Sequence, residues 1–388
     1  MFPVAGRLEP RQRGRALLRT YVAAGLFFLS YLNLLFFQDW FALDYFKQPE
    51  TFSQAACLMN RGVRAARHLS CRLQWPIYEA RVSMVPNQPT TASSLTAWQK
   101  RRWLFSKRLL PIALVYSGAA IAPFCFSWSG LVVGLVLLLL TGVGITVGFH
   151  RLLTHRSFST YRWMKRLLAT LGTLAFQDGV VNWVAVHRLH HANSDTTGDP
   201  HSPKNRFWHG YCLWLFSCDD RVADERLKMR YVKDLCSDPF MMFLENWTLA
   251  FQAFLFVTLY AIGECFSPDL GFSWAIYGTC VRIATLQQSS WLVNSVTHTW
   301  GYRNHQTRDQ STNSWLVAFM SLGEGWHNNH HAYPRSARFG FGWYEFDAGF
   351  LAIRLLQSLR LAWNVVFPKD EPTVRPHHAR APRRTESE

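Results

Sequence analysis

Nine histidines of the chain fall in a pattern that scattered imidazoles do not make. His150 and His155 stand in HRLLTH, His187, His190 and His191 in HRLHH, His298 stands alone, and His327, His330 and His331 form HNNHH. A lone histidine is more often a satisfied surface or core residue than a ligand. A HxxHH group is different, because positions i, i+3 and i+4 share one face of a helix. Three imidazoles there have little packing rationale, since they compete for the same protons and partners. They have a metal rationale, because neutral imidazole is the commonest metal ligand. Nine such groups exceed the need of one ion, so two ions are implied. Iron, zinc and copper all accept imidazole. The eight cysteines are scattered and form no CxxC pair. That excludes an iron–sulfur cluster and disfavours a soft copper site.

The first pair poses a geometric problem. Five residues apart, His150 and His155 lie roughly 140° apart around a regular helix. Either they serve two metals or the helix distorts between them. Farther along, Ser290, Asn294 and His298 recur every four residues and form one polar stripe on an apolar helix. Such a stripe faces protein rather than lipid, so it is expected to line the metal site and an adjacent substrate tunnel. Asn294 is placed to bind a metal directly or through a water.

Four apolar tracts must position these residues, at about 109–127, 130–149, 240–262 and 272–296. Each is long enough for roughly 30 Å of hydrocarbon at about 1.5 Å per residue. Short breaks at Ser127–Gly130 and Gly263–Gly271 make two tight hairpins. The expected fold is therefore all-α: an integral membrane protein with four transmembrane helices and a cytosolic helical cap holding a di-metal site. The hairpins return the chain each time to the side it left. The basic run Lys100, Arg101, Arg102, Lys107 and Arg108, the polar stretch 150–239, the end of the fourth tract and the C-terminal segment then share one face. Positive charge before the first tract makes that face cytoplasmic.

Composition agrees. Apolar residues make up 49% of the 388, with 17 Trp, which suits two lipid–water interfaces. The formal charge of +16 admits either a nucleic acid or an anionic membrane leaflet as partner. No zinc-finger spacing, RNA-binding signature or phosphate loop is present, so the membrane reading is preferred and no nucleic-acid partner is expected. Scattered cysteines read as free thiols in a reducing compartment. The chain divides into a basic region 1–108 with an apolar segment at about 20–43, the core 109–350, and a C-terminal helix with a basic, disordered tail over 351–388. Treated as a fifth span, the apolar segment would put two basic stretches on opposite faces. An interfacial or re-entrant placement avoids that conflict.

At these residues the sequence resembles the membrane fatty acid desaturases, in their Δ9 acyl-CoA and acyl-lipid branch. HRLLTH, HRLHH and HNNHH resemble that family's three histidine boxes. WLVNSVTH (Trp291–His298), GEGWHNNHH (Gly323–His331) and Asp199-Pro200-His201 resemble further signatures. The resemblance spans about 109–350. It implies a di-iron centre, O2, two external electrons and a bent acyl tunnel. The nine histidines become iron ligands and Asn294 a water-mediated one. Trp183, Ser290 and Trp291 become tunnel residues; the family commonly has Thr where this chain has Ser290. Glu324 and Asp347 are candidate carboxylates orienting imidazoles.

One departure bears on the substrate. Animal acyl-CoA enzymes carry an Arg-Asp pair just before the second box, and this chain has Ala185 and Val186 there. That favours lipid-linked acyl groups over CoA thioesters. No cytochrome b5 signature and no flavin or nicotinamide fingerprint appears, so a separate electron donor, cytochrome b5 or ferredoxin, is expected. Hydroxylases and ketolases use similar boxes and remain open. A metal transporter would place its ligands at mid-membrane depth, whereas these histidines cluster at and beyond the ends of the tracts.

Overall fold

A computed structural model of the protein describes residues 108–204, 206–216 and 225–368, with the backbone alone over 225–229. The apolar segment at 20–43, most of the basic run at 100–108 and the tail beyond 368 lie outside these residues. The described chain is mostly helical, as expected of an all-α protein. Its one sheet pairs β1 (Ser159–Thr160) antiparallel with β2 (Ala362–Trp363), and so ties the C-terminal segment to the start of the cap.

Helix α1 (Leu110–Ile121) runs into a single 3-10 turn, Ala122–Cys125. The expected first span is thus shorter than 109–127. Pro123 ends it, since its ring carries no N–H for the α-helical ladder. Helix α2 (Trp128–Val143) begins at Ser127, whose hydroxyl accepts from the Gly130 amide at 3.0 Å, a hydrogen-bonding N-cap. It continues without a break into a π-helical segment, Gly144–Thr154. Its glycines face protein: a Cβ on Gly130 would fall 2.2 Å from Ser273 Oγ, and one on Gly134 2.9 Å from the Tyr277 carbonyl. Val132, Leu135, Val136, Leu139 and Leu140 are exposed. Small residues inward and large aliphatics outward is the pattern of a helix packed in lipid.

The third expected span is displaced. The tract at 240–262 divides into α7 (Pro239–Asn246) and α8 (Thr248–Phe266), with Trp247 between them. Asp238 caps α7 through the Phe240 amide, and Pro239 follows at its first position. Met241 and Leu244 bury α7 against the cap helices α3 (Arg162–Leu174) and α4 (Val180–Asn193). Glu245 on α7 accepts from the Val181 amide at 2.7 Å and the Asn182 amide at 3.3 Å, capping α4. The first turns of the expected span therefore form a separate helix packed on α3 and α4.

The fourth tract forms one continuous rod: α9 (Leu270–Ala275), a π-helical segment Ile276–Val281, and α10 (Arg282–Val296). Arg282 lies inside it at 1% exposure. Its guanidinium donates to the Gly278 carbonyl at 2.6 Å, Thr141 Oγ1 on α2 at 3.1 Å, the Leu174 carbonyl on α3 at 2.6 Å and Gln252 Oε1 on α8 at 3.3 Å. Among the described residues two helices, Trp128–Thr154 and Thr248–Phe266, are long and apolar enough to cross a bilayer. α1 is too short for that test, and the fourth rod carries polar residues turned into protein.

The remaining described helices are α5 (Phe207–Tyr211), α6 (Glu225–Cys236), α11 (Trp315–Met320), α12 (His327–Ala332) and α13 (Ala348–Ser358).

Candidate metal centre

The π-helical segment resolves the problem of the first pair. The His155 amide donates to the His150 carbonyl at 3.1 Å, an i to i+5 bond. In a π turn, residues five apart stack on one side, and the two rings lie 4.9 Å apart. The segment is held against α3 by glycines that leave no room for a side chain. A Cβ on Gly144 would meet the Gly172 amide at 2.2 Å, and one on Gly148 the Leu168 carbonyl at 2.8 Å.

Each HxxHH box divides between two groups. His150, His155, His187, His191 and His330 form the first, and His190, His298, His327 and His331 the second, with ligand atoms in each group within 4.8 Å of one another. α4 supplies His187 and His191 to one group and His190 to the other. α12 supplies His330 to the first and His327 and His331 to the second. The groups adjoin, with the His191 and His331 rings stacked at 4.5 Å.

Helix α12 has only six residues, too few to hold itself. The two asparagines of HNNHH anchor it. Asn328 Oδ1 accepts from the Asn304 and His305 amides, both at 2.8 Å. The Asn329 side chain binds Asn304, Asn313, the Phe339 carbonyl and Glu345 at 2.8–3.0 Å.

The ring nitrogens themselves argue for a cation. In the first group, His330 Nε2 lies 3.0 Å from His150 Nε2 and 2.9 Å from His191 Nε2. In the second, His327 Nε2 lies 3.1 Å from His298 Nε2 and 3.0 Å from His331 Nε2. Carboxylates take the Nδ1 protons of His298 and His331, so a neutral ring there presents a lone pair at Nε2. His327 has one proton to place and two such lone pairs beside it. Imidazole nitrogens that each reach one ion at about 2.0–2.1 Å would lie within about 4 Å of one another, as these do. His155 Nε2 and His190 Nε2 are buried with no hydrogen-bond partner among the described residues. Burial pushes His155, His187, His191, His327 and His330 well below the usual imidazole range, and His331 down to about 4. They are therefore neutral, the form a metal requires. The residues present fit a pair of metal ions.

Four carboxylates stand behind the rings. His150 Nδ1 donates to Glu324, which also accepts from Thr146 Oγ1. His190 Nδ1 donates to Asp199 at 3.0 Å, His298 Nδ1 to Asp195 at 2.8 Å and His331 Nδ1 to Asp309 at 2.7 Å. Burial works against charge on Asp199 and Asp309, yet His190 and His331 hold them well below the usual carboxylate range. His201 stacks on His190 at 4.4 Å.

Sequence reasoning named Glu324 but missed Asp195 and Asp309, and assigned Asp199 no role. It named Asp347 as orienting an imidazole, and the structure corrects this. Asp347 caps α13 through the Phe350 amide at 2.8 Å and binds Arg151 at 2.9 Å. Arg151, itself buried, passes on toward Glu324 at 3.5 Å. Asp347 is thus one residue removed from the rings, because its Cα lies at a helix start where its oxygens are taken by backbone amides.

Other predicted site residues fall around the groups. The Trp183 indole stacks on His187 at 5.1 Å with 17° between planes. Asn294 and Ser290 are half-buried on α10 and make no side-chain hydrogen bond among the described residues. Trp291 lies over Tyr116 at 6.2 Å and against Tyr211 at 5.6 Å. Gln288 donates to Tyr116 at 2.6 Å and accepts from Tyr211. Ala185 and Val186 are buried in α4.

Comparison with known proteins agrees with this site. The fatty acid desaturase family model matches residues 126–356. The sn-1 stearoyl-lipid 9-desaturase of Anabaena variabilis is 44% identical over 63% of this chain and 87% of its own length. The sn-2 palmitoyl-lipid 9-desaturase of Nostoc sp. (strain 36) is 38% identical over 68% and 90%. The acyl-CoA 5-desaturase AL21 of Anemone leveillei is 40% identical over 64% and 75%. The matched region contains both histidine groups and the helices that carry them, and the chain belongs to the fatty acid desaturase family, an oxidoreductase that desaturates fatty acyl groups.

Proposed function

We propose that the protein desaturates a long acyl chain carried on a membrane glycerolipid, at the Δ9 position, with two iron ions held by the two histidine groups. The observation that carries this reading is the convergence of nine imidazoles into two groups, with the ligand atoms of each group within 4.8 Å of one another. When bound, the irons would supply, with O2 and two electrons, the oxidising power to remove two hydrogens from unactivated C–H positions.

The residues of the chain do the rest. The first group would hold one iron through His150, His155, His187, His191 and His330. The second would hold the other through His190, His298, His327 and His331, with Asn294 reaching it through a water. Glu324, Asp195, Asp199 and Asp309 fix the tautomer and ring orientation of the imidazoles they face. Trp183, Ser290 and Trp291 would line the acyl tunnel, so that burial excludes water and the chain is presented in one orientation.

The lipid-linked substrate is supported by the buried, apolar Ala185 and Val186, which leave no Arg-Asp pair to meet a CoA group. The acyl-lipid names of several relatives agree, although an acyl-CoA enzyme is as similar. α1, α2 with its π-helical continuation, α8 and the rod ending in α10 would lie in the bilayer, with Arg282 buried between α2, α3, α8 and α10 away from lipid. The formal charge of +16 supports a cytoplasmic site and a separate acidic electron donor, cytochrome b5 or ferredoxin.

Expression in a desaturase-deficient host, with double bonds mapped by lipid class, tests this. New monounsaturated chains should appear in intact glycerolipids before they appear in the acyl-CoA pool. Desaturation of stearoyl-CoA but not of intact lipid would contradict the carrier, and oxygenated rather than unsaturated chains would contradict the reaction.

A further inference from the structure

We infer that the two histidine groups are unequal: the four-histidine group takes the first metal ion and keeps it longest, because three of the four carboxylates stand behind it. The inference rests on the reading that both groups hold metal.

Asp195, Asp199 and Asp309 face His298, His190 and His331. Among the described residues only Glu324 stands behind the five-histidine group, and its charge is shared with Arg151 at 3.5 Å. The three aspartates form one interlocked shell. Asp199 accepts from the Asp195 amide at 2.9 Å, and Asp195 accepts from the Gln310 amide at 2.7 Å, next to Asp309. Asp309 is also held by Thr307 at 2.7 Å and by Ser311. The ion held by these rings thus has three anions one imidazole away, where the other ion has one anion that a guanidinium offsets.

Such outer carboxylates raise ligand basicity, and each is typically worth about 10–100-fold in metal affinity. A surplus of two corresponds to roughly 10²–10⁴-fold. The fifth imidazole of the other group adds a donor but no charge and narrows this difference, so the expected gap is set at tenfold or more. The aspartates are positioning residues: they act through the imidazoles and touch no metal themselves.

The test is a Co²⁺ titration of the full-length, metal-free protein in detergent, read by visible absorption. Two steps are expected, the first at least tenfold tighter. Asp309→Asn keeps the shape and removes the charge, and should weaken the first step 10–100-fold while leaving the second. Glu324→Gln should weaken the second step alone. Should Asp309→Asn fail to fold, Asp199→Asn carries the same expectation. Two equal steps in the unaltered protein, or the opposite assignment of the variants, would overturn the inference while leaving the metal reading intact. A protein that binds no Co²⁺ and no Fe²⁺ would overturn the metal reading itself.

Discussion

His155 donates its backbone amide to the carbonyl of His150 across 3.1 Å, five residues back, and this one bond sets both imidazoles on the same side of the helix. The His155 ring ends with its Nε2 buried and without a hydrogen-bond partner among the described residues. An unpaired buried polar atom costs about 1–3 kcal/mol. His155→Ala should therefore leave the metal-free protein at least as stable as before. It should also lower bound metal from two ions per chain toward one and reduce turnover by more than about tenfold. Thermal unfolding with and without metal, beside metal analysis, checks both halves.

Asn329 should behave in the opposite way. Its amide makes four hydrogen bonds that pin α12, and none of them involves an imidazole. Asn329→Ala strands several buried partners and should cost roughly 2–4 kcal/mol in the metal-free protein as well. An unchanged melting temperature for that variant without metal would show that these hydrogen bonds do not hold α12.

Arg282 binds three neighbouring helices and its own rod. Arg282→Met would take a donor from a hydroxyl, two carbonyls and an amide oxygen, at a cost of roughly 3–5 kcal/mol. Arg282→Lys should rescue little, since one ammonium cannot reproduce the planar fork. Melting in detergent micelles measures both, and full rescue by lysine would refute the account of this residue.

Trp183 lies flat on His187. As a tunnel wall it should govern where the acyl chain stops. Trp183→Ala should keep both metal ions and spread the double bond over more than one position. Loss of metal without any change in product position would make the indole a support for the ring instead.

Eight of the nine histidines were legible because their chemistry repeats locally, as HxxHH twice and HxxxxH once, and His298 because it ends the Ser290–Asn294 stripe. Their division into groups of five and four was not, because each box serves both centres and only packing decides which ring turns where. Asp195 and Asp309 were invisible for the same reason. Asp309 meets His331 from 22 residues away and Asp195 meets His298 from 103, and no periodicity marks such pairs. The α10 stripe was readable at Ser290, Asn294 and His298, yet Arg282 on the same rod passed unremarked inside an apolar tract. Two errors of boundary had signals in plain view. Pro123 ends the first α-helix short of 127, and Asp238-Pro239 starts a separate helix, 239–246, within the third tract.

The central claim is that these imidazoles hold two irons that serve the reaction. The direct measurement is metal analysis of the full-length protein purified anaerobically from an iron-replete host, paired with lipid desaturation before and after an Fe²⁺ chelator. The account predicts two irons per chain, with activity falling as they are removed and returning when Fe²⁺ is restored. An active protein with one iron, or with zinc in both groups, would contradict it.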